Sequence, residues 1–201
     1  MNKTESNRLQ QVEESSTLAM AALAREYRSK GVDVISLSLG EPDFKTPTHI
    51  CDGAKEAIDS GNYFSYPPVA GYSDLREEIS KKFIEENKLK YDPNQIIVSN
   101  GVKHSITNVM FSILNKGDEV IVFSPFWVSY SAIITLAEGV PVYINTSIDN
   151  DFKPSVEQLK STITKNTKAI IFSSPCNPTC TVFSREELKK YRDILVDYPD
   201  I

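Results

Sequence analysis

The first candidate for chemistry is the segment 99–103, Ser-Asn-Gly-Val-Lys. It follows the apolar run Ile96–Val98 and opens a helical pattern, so Gly101 lets the backbone approach a ligand and the free N–H groups of the first helical turn attract an anion. Lys103 and the hydroxyl of Ser105 add a positive charge and a donor. The segment suits a phosphate group, but it matches neither the Walker A nor the GxGxxG pattern. Taken alone, it favours an ordinary strand-to-helix turn.

An aromatic side chain follows the next apolar run. Val120–Phe123 is continuously apolar, which is typical of a strand covered on both faces, and Trp127 comes shortly after it. A tryptophan beside the mouth of a parallel sheet can stack on a planar heteroaromatic ligand. The sequence by itself favours the alternative, in which Trp127 closes the hydrophobic core.

A third loop places an amide between two prolines. It follows the apolar run Ala169–Phe172, and Pro175 and Pro178 restrict the backbone on either side of Asn177. An amide donor held in this way suits a ligand oxygen that carries negative charge. Asn-Pro also begins many ordinary turns, and alone it favours that interpretation.

An alternation of helices and strands positions these loops. Strands are predicted at 96–98, 120–123, 140–144 and 169–172, and residues 34–39 are predicted to form a short strand or an extended segment. Helices are predicted between them, with a last helix opened by a Ser184–Glu187 capping box. Such alternation implies a parallel α/β sheet, in which ligands bind at the carboxyl ends of the strands. The loops after residues 98, 123 and 172 are therefore the predicted places for a site.

The composition excludes several classes of protein. The 201 residues carry 22 Lys and Arg against 27 Asp and Glu, a net charge of −5, which disfavours nucleic-acid binding. The three cysteines are too few for a disulfide framework. With only two histidines beside them, a structural zinc site is improbable. The start has no apolar signal region and no run is long enough to span a membrane, so we expect a soluble, cytoplasmic protein with no metal and no membrane or nucleic-acid partner.

Two carboxylates on one loop resemble an acid–base pair. Glu41 and Asp43 are separated only by Pro42. A catalytic pair must flank the reacting bond, which two carboxylates this close rarely do, so we interpret them as loop polarity and turn-forming groups.

Together with two upstream segments, the three loops resemble the class I/II aminotransferases of the fold-type-I pyridoxal phosphate (PLP) enzymes. Five segments occur in the family's order and spacing: GEPDF from Gly40, the loop from Tyr66 to Gly71, SNGVKHS, GDEVIVFSPFWVSY and SSPCNPT. The likeness runs from about Ser15 to Ile201 and is strongest to the prokaryotic aspartate aminotransferase branch. It implies an α/β fold-type-I PLP transferase with a mostly parallel sheet and flanking helices. Residues 1–45 would form the N-terminal arm and the start of the small domain, and residues 46–201 the first half of the large PLP-binding domain.

The resemblance implies cofactor contacts for Gly101, Val102, Lys103, Trp127, Asn177 and Tyr66. In the family, the backbone at 101–103 holds the PLP phosphate, the aromatic residue matching Trp127 stacks on the pyridine ring, and the Asn matching Asn177 hydrogen-bonds the phenolic oxygen. The Tyr matching Tyr66 reaches the phosphate of the partner subunit, which implies a homodimer with shared active sites.

The implied substrate contacts involve Gly40, Trp127, Asn177, Lys103, Ser15 and Thr17. The Gly matching Gly40 lies against the substrate carboxylate. A Lys matching Lys103, with Ser or Thr at the start of the first helix, accompanies acidic side chains in the family. The resemblance therefore favours aspartate or glutamate as amino donor and a 2-oxo acid as acceptor.

The sequence departs from the family pattern at three positions. Cys180 replaces a glycine that usually permits a tight backbone, so we expect local strain there without loss of the Asn177 role. Val102 and His104 stand where Ala or Gly and Gln are usual, which is tolerable because the phosphate contacts there are largely backbone N–H groups.

The family's catalytic lysine, which forms the Schiff base with PLP, has no match in these 201 residues. The resemblance does not place Lys103, Lys165 or Lys168 on the segment that faces the cofactor's aldehyde carbon. It also implies that strands from later in the chain separate Ile96–Val98 from the other three strands. We therefore expect the 201-residue polypeptide alone to be poorly stable and not to transaminate.

Three hypotheses stand at this point. The chain is either the N-terminal half of an aminotransferase or a truncated or split-gene remnant that at most binds cofactor or a partner chain. A nucleotide-binding Rossmann domain is disfavoured by the absent GxGxxG motif and by the proline-rich third loop.

Overall fold

The computed structural model of the protein describes residues 4–40 and 42–201. The helices of this part are α1 (Ser16–Ser29), α2 (Thr48–Ser60), α3 (Ser73–Asn87), α4 (Val102–Ile113), α5 (Ser129–Leu136), α6 (Val156–Thr162) and α7 (Arg185–Leu195). The strands are β1 (Glu119–Ser124), β2 (Val140–Asn145) and β3 (Thr167–Ile171). The three strands form one parallel sheet in the order β2-β1-β3, with helices between successive strands. The predicted parallel α/β architecture is confirmed.

The apolar run of β1 is explained by its central position in the sheet. Successive side chains of a strand point to opposite faces, and both faces of β1 are covered. Val120 and Val122 pack into a cluster with Ile134 of α5, whereas Ile121 packs into a second cluster with Leu159 of α6. All five side chains are fully buried, so β1 lies at the centre of a layered core.

The predicted helix boundaries follow from local capping chemistry. At the start of α7, the Glu187 N–H donates to Ser184 Oγ at 3.2 Å and the Ser184 N–H donates to Glu187 Oε2 at 2.7 Å, which completes the predicted capping box. α2 ends at Gly61, whose φ of +64° is the left-handed conformation that glycine adopts without a steric cost.

The strand predicted at 96–98 is wrong, and of the two forms predicted for residues 34–39 the structure excludes the strand. Residues 34–39 form no strand, and Ile35 and Leu37 are 86% and 92% exposed, because no described segment pairs with them. Residues 96–98 also lie outside the sheet: the Val98 N–H donates to the Ala70 carbonyl at 3.0 Å, but no ladder follows. Alternating or apolar sequence favours an extended backbone, but a strand forms only where a neighbouring segment supplies hydrogen bonds.

The described residues group into two compact units, one of residues 4–23 with 103–201 and one of residues 24–40 with 42–102. Within the second unit, Arg76 Nη1 of α3 donates to the Pro93 carbonyl at 3.1 Å, and Gly71 adopts a φ of +94° against Val98. A Cβ at position 71 would lie 2.9 Å from Val98 Cβ, so no larger residue fits there. The predicted domain boundary at residue 45 stays a prediction.

Of the two carboxylates in the loop 41–43, the structure describes one. Asp43 is exposed in a segment without regular structure, whereas Glu41 lies outside the described residues.

In the described part of the chain, no helix is both long and apolar enough to cross a membrane. The same residues contain no group of three or more His, Cys, Asp or Glu side chains placed to hold a metal ion.

Candidate functional site

Two of the predicted loops leave the sheet at the same edge. β1 and β3 are parallel neighbours, with Val122 paired to Ile171, so the segments that follow them begin side by side. The Cys176 thiol, in the loop after β3, donates to the Pro125 carbonyl in the loop after β1, with 3.7 Å between sulfur and oxygen. This contact joins the loop that carries Trp127 to the loop that carries Asn177.

The start of α4 brings a positive charge to the Trp127 loop. The Lys103 ammonium lies 5.3 Å from the centroid of the Trp127 ring, within the range of a cation–π interaction. Gly101 and Val102 directly precede Lys103 in the chain, and Gly101 has a φ of +80° that permits the sharp entry into the helix. The first turn of α4 offers backbone N–H groups that have no acceptor within the helix, together with the positive end of the helix dipole.

Trp127 packs on the core and remains partly accessible. Its ring meets Tyr130 edge to face, with centroids 5.5 Å apart and planes at 86°, and it packs against the cluster around Val122. The side chain nevertheless remains only partly buried. One side of the indole therefore supports the core while Lys103 borders another part of its surface.

Asn177 is held by its backbone while its side chain is exposed. The Asn177 N–H donates to Ser173 Oγ at 3.3 Å. Within residues 4–40 and 42–201, its side-chain amide makes no hydrogen bond. An exposed amide on a fixed backbone is available to donate to a ligand oxygen.

The strain expected at Cys180 is confirmed. Its φ of +59° lies in the left-handed region, where a residue with a Cβ is disfavoured. The Cys180 N–H donates to the Cys176 carbonyl at 2.7 Å and the Cys176 N–H donates to the Thr181 carbonyl at 2.8 Å. These two bonds close the turn that carries Asn177 and hold Cys180 in its disfavoured conformation.

The remaining predicted site residues are Gly40, Tyr66, Ser15 and Thr17. Gly40 and Tyr66 belong to the second compact unit, and Tyr66 is fully exposed. Ser15 and Thr17 are partly buried at the start of α1, where the Ser15 carbonyl accepts the Ala19 N–H at 3.0 Å. Their proposed roles therefore stay predictions.

Lys165 and Lys168 lie at the amino end of β3 and not at the end that leads to Asn177. Sequence reasoning missed Ser173 and Cys176, which fix the Asn177 loop. The signal was present, because Cys176 lies within the proline-restricted segment 175–178, Ser173 lies two residues before it, and both have short polar side chains.

The largest electrostatic perturbation lies away from this edge, in a cleft of about 450 Å³ beside α7. Lys153 Nζ contacts Glu187 Oε1 at 2.9 Å and Asp151 Oδ2 at 3.4 Å. Hydrogen bonds from the Ser184 backbone and from Lys153 lower the pKa of Glu187 to about 2. Burial and the Glu187 charge raise the pKa of Tyr191 to about 12. Lys153 pairs with Glu187 and Asp151, and the Tyr191 hydroxyl donates to the Pro154 carbonyl, so these contacts hold α7 against the segment 151–154.

The fold and the site define an α/β protein that offers a cation, an aromatic face and an amide at the carboxyl edge of a parallel sheet. Residues 32–199 match the sequence profile of the family "Aminotransferase class I and II", and the chain belongs to this family.

Relatives and solved structures agree with this assignment. The chain is 45% identical to the aspartate aminotransferase of Bacillus sp. (strain YM-2) over 98% of its length and 43% identical to the aspartate/prephenate aminotransferase of Nitrosomonas europaea over 98%. It covers 50% and 49% of those two proteins, so it spans about half the length of the curated relatives it matches.

The fold matches solved aminotransferases equally well. The aspartate aminotransferase of Thermus thermophilus with maleate superposes with a TM-score of 0.91 at 41% identity, over 96% of this chain and 50% of that one. The aspartate aminotransferase of Rhizobium meliloti superposes with a TM-score of 0.92 at 34% identity, over 98% of this chain and 49% of that one. The chain therefore has the fold of about half of a fold-type-I aminotransferase, as the sequence predicts.

The donor set fits a phosphorylated aromatic cofactor. The start of α4 and the Lys103 ammonium suit a phosphate dianion, the Trp127 face suits a planar ring, and the Asn177 amide has no competing partner among the described residues. Each group therefore complements a different part of PLP.

Proposed function

We propose that this chain is part of a PLP-dependent transaminase, an enzyme that moves an amino group between aspartate or glutamate and a 2-oxo acid. The observation that carries this proposal is the cation–π contact of 5.3 Å between Lys103 and Trp127 at the start of α4. It sets a phosphate-binding helix end beside an aromatic face, which is the combination that a phosphorylated pyridine requires.

The start of α4 is proposed to bind the phosphate. The backbone N–H groups at Gly101, Val102 and Lys103 donate to the phosphate oxygens, and the Lys103 ammonium adds a charge that favours the dianion. Because the backbone supplies most of these contacts, Val102 can replace the smaller residue that the family usually has.

Trp127 and Asn177 are proposed to orient the ring. When bound, PLP supplies the electron sink that lets the amino group leave one carbon skeleton and join another. The Trp127 face supports the ring by stacking, and the packing of the indole on Tyr130 fixes its plane. The Asn177 amide donates to the phenolic oxygen and stabilises its negative charge.

The proposed substrate preference depends on residues outside this group as well. Ser15, Thr17 and Lys103 favour an acidic side chain, Gly40 lies against the substrate carboxylate, and Trp127 and Asn177 border the substrate. The relatives named as aspartate and aspartate/prephenate aminotransferases support aspartate as the amino donor.

A homodimer and a cytoplasmic location complete the proposal. Tyr66 is fully exposed, which leaves its phenol available to the phosphate of a partner subunit. All three cysteines are unpaired thiols, a state that suits a reducing compartment.

The test of cofactor binding uses Trp127, which is the single tryptophan of the chain. Titration with PLP is expected to quench its fluorescence, and inorganic phosphate is expected to compete. Pyridoxal, which lacks the phosphate, serves as the matched control and is expected to bind more weakly. Absence of any saturable quenching would contradict the proposal.

A second measurement separates the enzyme from a non-catalytic remnant. Oxaloacetate formation from aspartate and 2-oxoglutarate is assayed for residues 1–201 and for any longer product of the same gene. Binding of PLP without turnover by residues 1–201 is the expected result. If the DNA beyond the Ile201 codon encodes an Asp-x-x-Tyr strand end and a Ser-x-x-Lys segment, the enzyme is supported. A stop codon there supports the alternative, a remnant that binds cofactor or a partner chain.

A further inference from the structure

Two thiols bracket the loop that carries Asn177. Cys176 directly precedes Asn177, and Cys180 closes the same turn through its N–H, which donates to the Cys176 carbonyl at 2.7 Å. Both cysteines are free thiols; Cys180 is exposed and Cys176 is partly buried.

The backbone hydrogen bond limits how far apart these residues can lie. With standard bond lengths on either side of the 2.7 Å contact, the two Cα atoms are separated by at most about 6.6 Å. Disulfides span Cα–Cα distances of about 4.4–6.8 Å, so this separation permits a bridge between Cys176 and Cys180.

We propose that Cys176 and Cys180 form a reversible disulfide that controls the position of Asn177. The oxidant is a hydroperoxide. The exposed Cys180 thiolate attacks one peroxide oxygen, the O–O bond breaks, and with hydrogen peroxide the other oxygen leaves as hydroxide, which a proton converts to water. Cys180 is now a sulfenic acid. The Cys176 sulfur then attacks the Cys180 sulfur, the S–O bond breaks, and the hydroxyl leaves with the Cys176 proton as a second water.

Oxidation changes the contact that joins the two ligand-binding loops. The Cys176 thiol donates to the Pro125 carbonyl in the reduced protein, and a sulfur in a disulfide has no proton to donate. Forming the bridge therefore removes this hydrogen bond and turns Cys176 toward Cys180. Because this hydrogen bond joins the Asn177 loop to the loop that carries Trp127, its loss frees the Asn177 amide to move away from Trp127.

The disulfide itself can be tested without any cofactor. The protein is treated with hydrogen peroxide, its free thiols are counted, and its peptides are mapped by mass spectrometry with and without dithiothreitol. We expect the count to fall from the three free thiols to one, with a Cys176–Cys180 bridge that dithiothreitol reverses. Cys51→Ser is the matched control and should form the same bridge, whereas Cys176→Ser and Cys180→Ser should not.

Two results would overturn the bridge. One is oxidation that stops at single cysteines or ends in sulfinic acid while Cys176 stays reduced. The other is a bridge that involves Cys51 or joins two chains.

The proposed effect of the disulfide on Asn177 rests on the proposed cofactor role and is measured separately. PLP is titrated into the reduced and the oxidised protein, with the Cys176→Ser protein after the same peroxide treatment as control. Oxidation is expected to weaken PLP binding about tenfold, as for the loss of one hydrogen bond to a charged oxygen, and dithiothreitol to restore it. Equal affinity of the reduced and the oxidised protein for PLP would overturn the proposed effect of the disulfide on Asn177. Failure of the reduced protein to bind PLP would count against the proposed function and leave the thiol count as the test of the bridge.

Discussion

The Lys103 ammonium lies 5.3 Å from the centre of the Trp127 ring and so joins the start of α4 to the loop after β1. This relationship holds a cation at the position where the helix N-terminus also attracts an anion. The same cation therefore has two tasks: it stabilises the indole by a cation–π interaction, and it adds charge for a phosphate. The two tasks can be separated by measurement.

Lys103→Met is expected to weaken PLP binding about tenfold, because it removes a charge-assisted contact to phosphate. Its effect on the free energy of unfolding should be small, about 0.5–1 kcal/mol, as for an exposed cation–π pair. Fluorescence titration and urea denaturation measure the two effects. Lys116→Met, an exposed lysine in the turn before β1, is the control and should change neither. A Lys103→Met protein that loses affinity for pyridoxal as strongly as for PLP would show that the lysine does not contact the phosphate.

Asn177→Asp is expected to weaken PLP binding more than Asn177→Ala. The alanine variant only removes a donor, whereas the aspartate variant sets a negative charge against the phenolic oxygen. Equilibrium titration at neutral pH compares the variants. Asn166→Asp, an exposed change in the turn before the amino end of β3, is the matched control and should bind PLP as the unmodified protein does. Equal losses for the two Asn177 variants would argue against a charged oxygen at this position.

The sequence predicts the elements of this fold better than it predicts their pairing. The continuous apolar run at Val120–Phe123 identifies β1 because both of its faces are buried. The run at Ile96–Val98 has a similar composition but forms no strand, since pairing depends on neighbours that the pattern of one segment does not specify.

For the candidate site too, the sequence predicts the loops better than it predicts the contacts between them. Glycine, proline and asparagine identify its loops because these residues impose specific backbone geometry. The contact between the Cys176 thiol and the Pro125 carbonyl joins residues 51 positions apart, and no local pattern predicts it.

Cys180→Gly is expected to stabilise the protein by about 0.5–1 kcal/mol. Relief of the left-handed strain at φ +59° contributes about 1–2 kcal/mol, and the greater freedom of glycine in the unfolded chain offsets part of it. Cys180→Ala keeps the strain and should leave the free energy of unfolding nearly unchanged. Urea denaturation of the three proteins checks this order. If the glycine and alanine variants are equally stable, the Cys180 conformation is not strained.

Glu187 is expected to make the stability of the protein fall in acid. Hydrogen bonds from the Ser184 backbone and from Lys153 lower its pKa from the ordinary 4.5 to about 2 in the folded state. A carboxyl whose folded-state pKa is lowered binds its proton more readily when unfolded, so its contribution is present above about pH 4.5 and disappears as the pH falls towards 2.

Glu187→Gln is the variant that tests this contribution, because glutamine keeps the capping-box geometry and removes the charge. The free energy of unfolding is measured by urea denaturation from pH 7 to pH 2, and for this variant it should depend less on pH below 4.5. At pH 7 it should be lower than that of the unmodified protein by about 1 kcal/mol, less than the roughly 1.5–3 kcal/mol of a hydrogen bond to a charged group, because the Glu187 side chain is 34% exposed to solvent. Glu186→Gln, its exposed neighbour in the first turn of α7, is the matched control and should keep the full acid dependence. Lys153→Met should reduce the contribution without abolishing it, since the Ser184 N–H at 2.7 Å still stabilises the carboxylate. Acid profiles that are identical for Glu187→Gln and Glu186→Gln would contradict the assignment of this dependence to the Glu187 carboxylate.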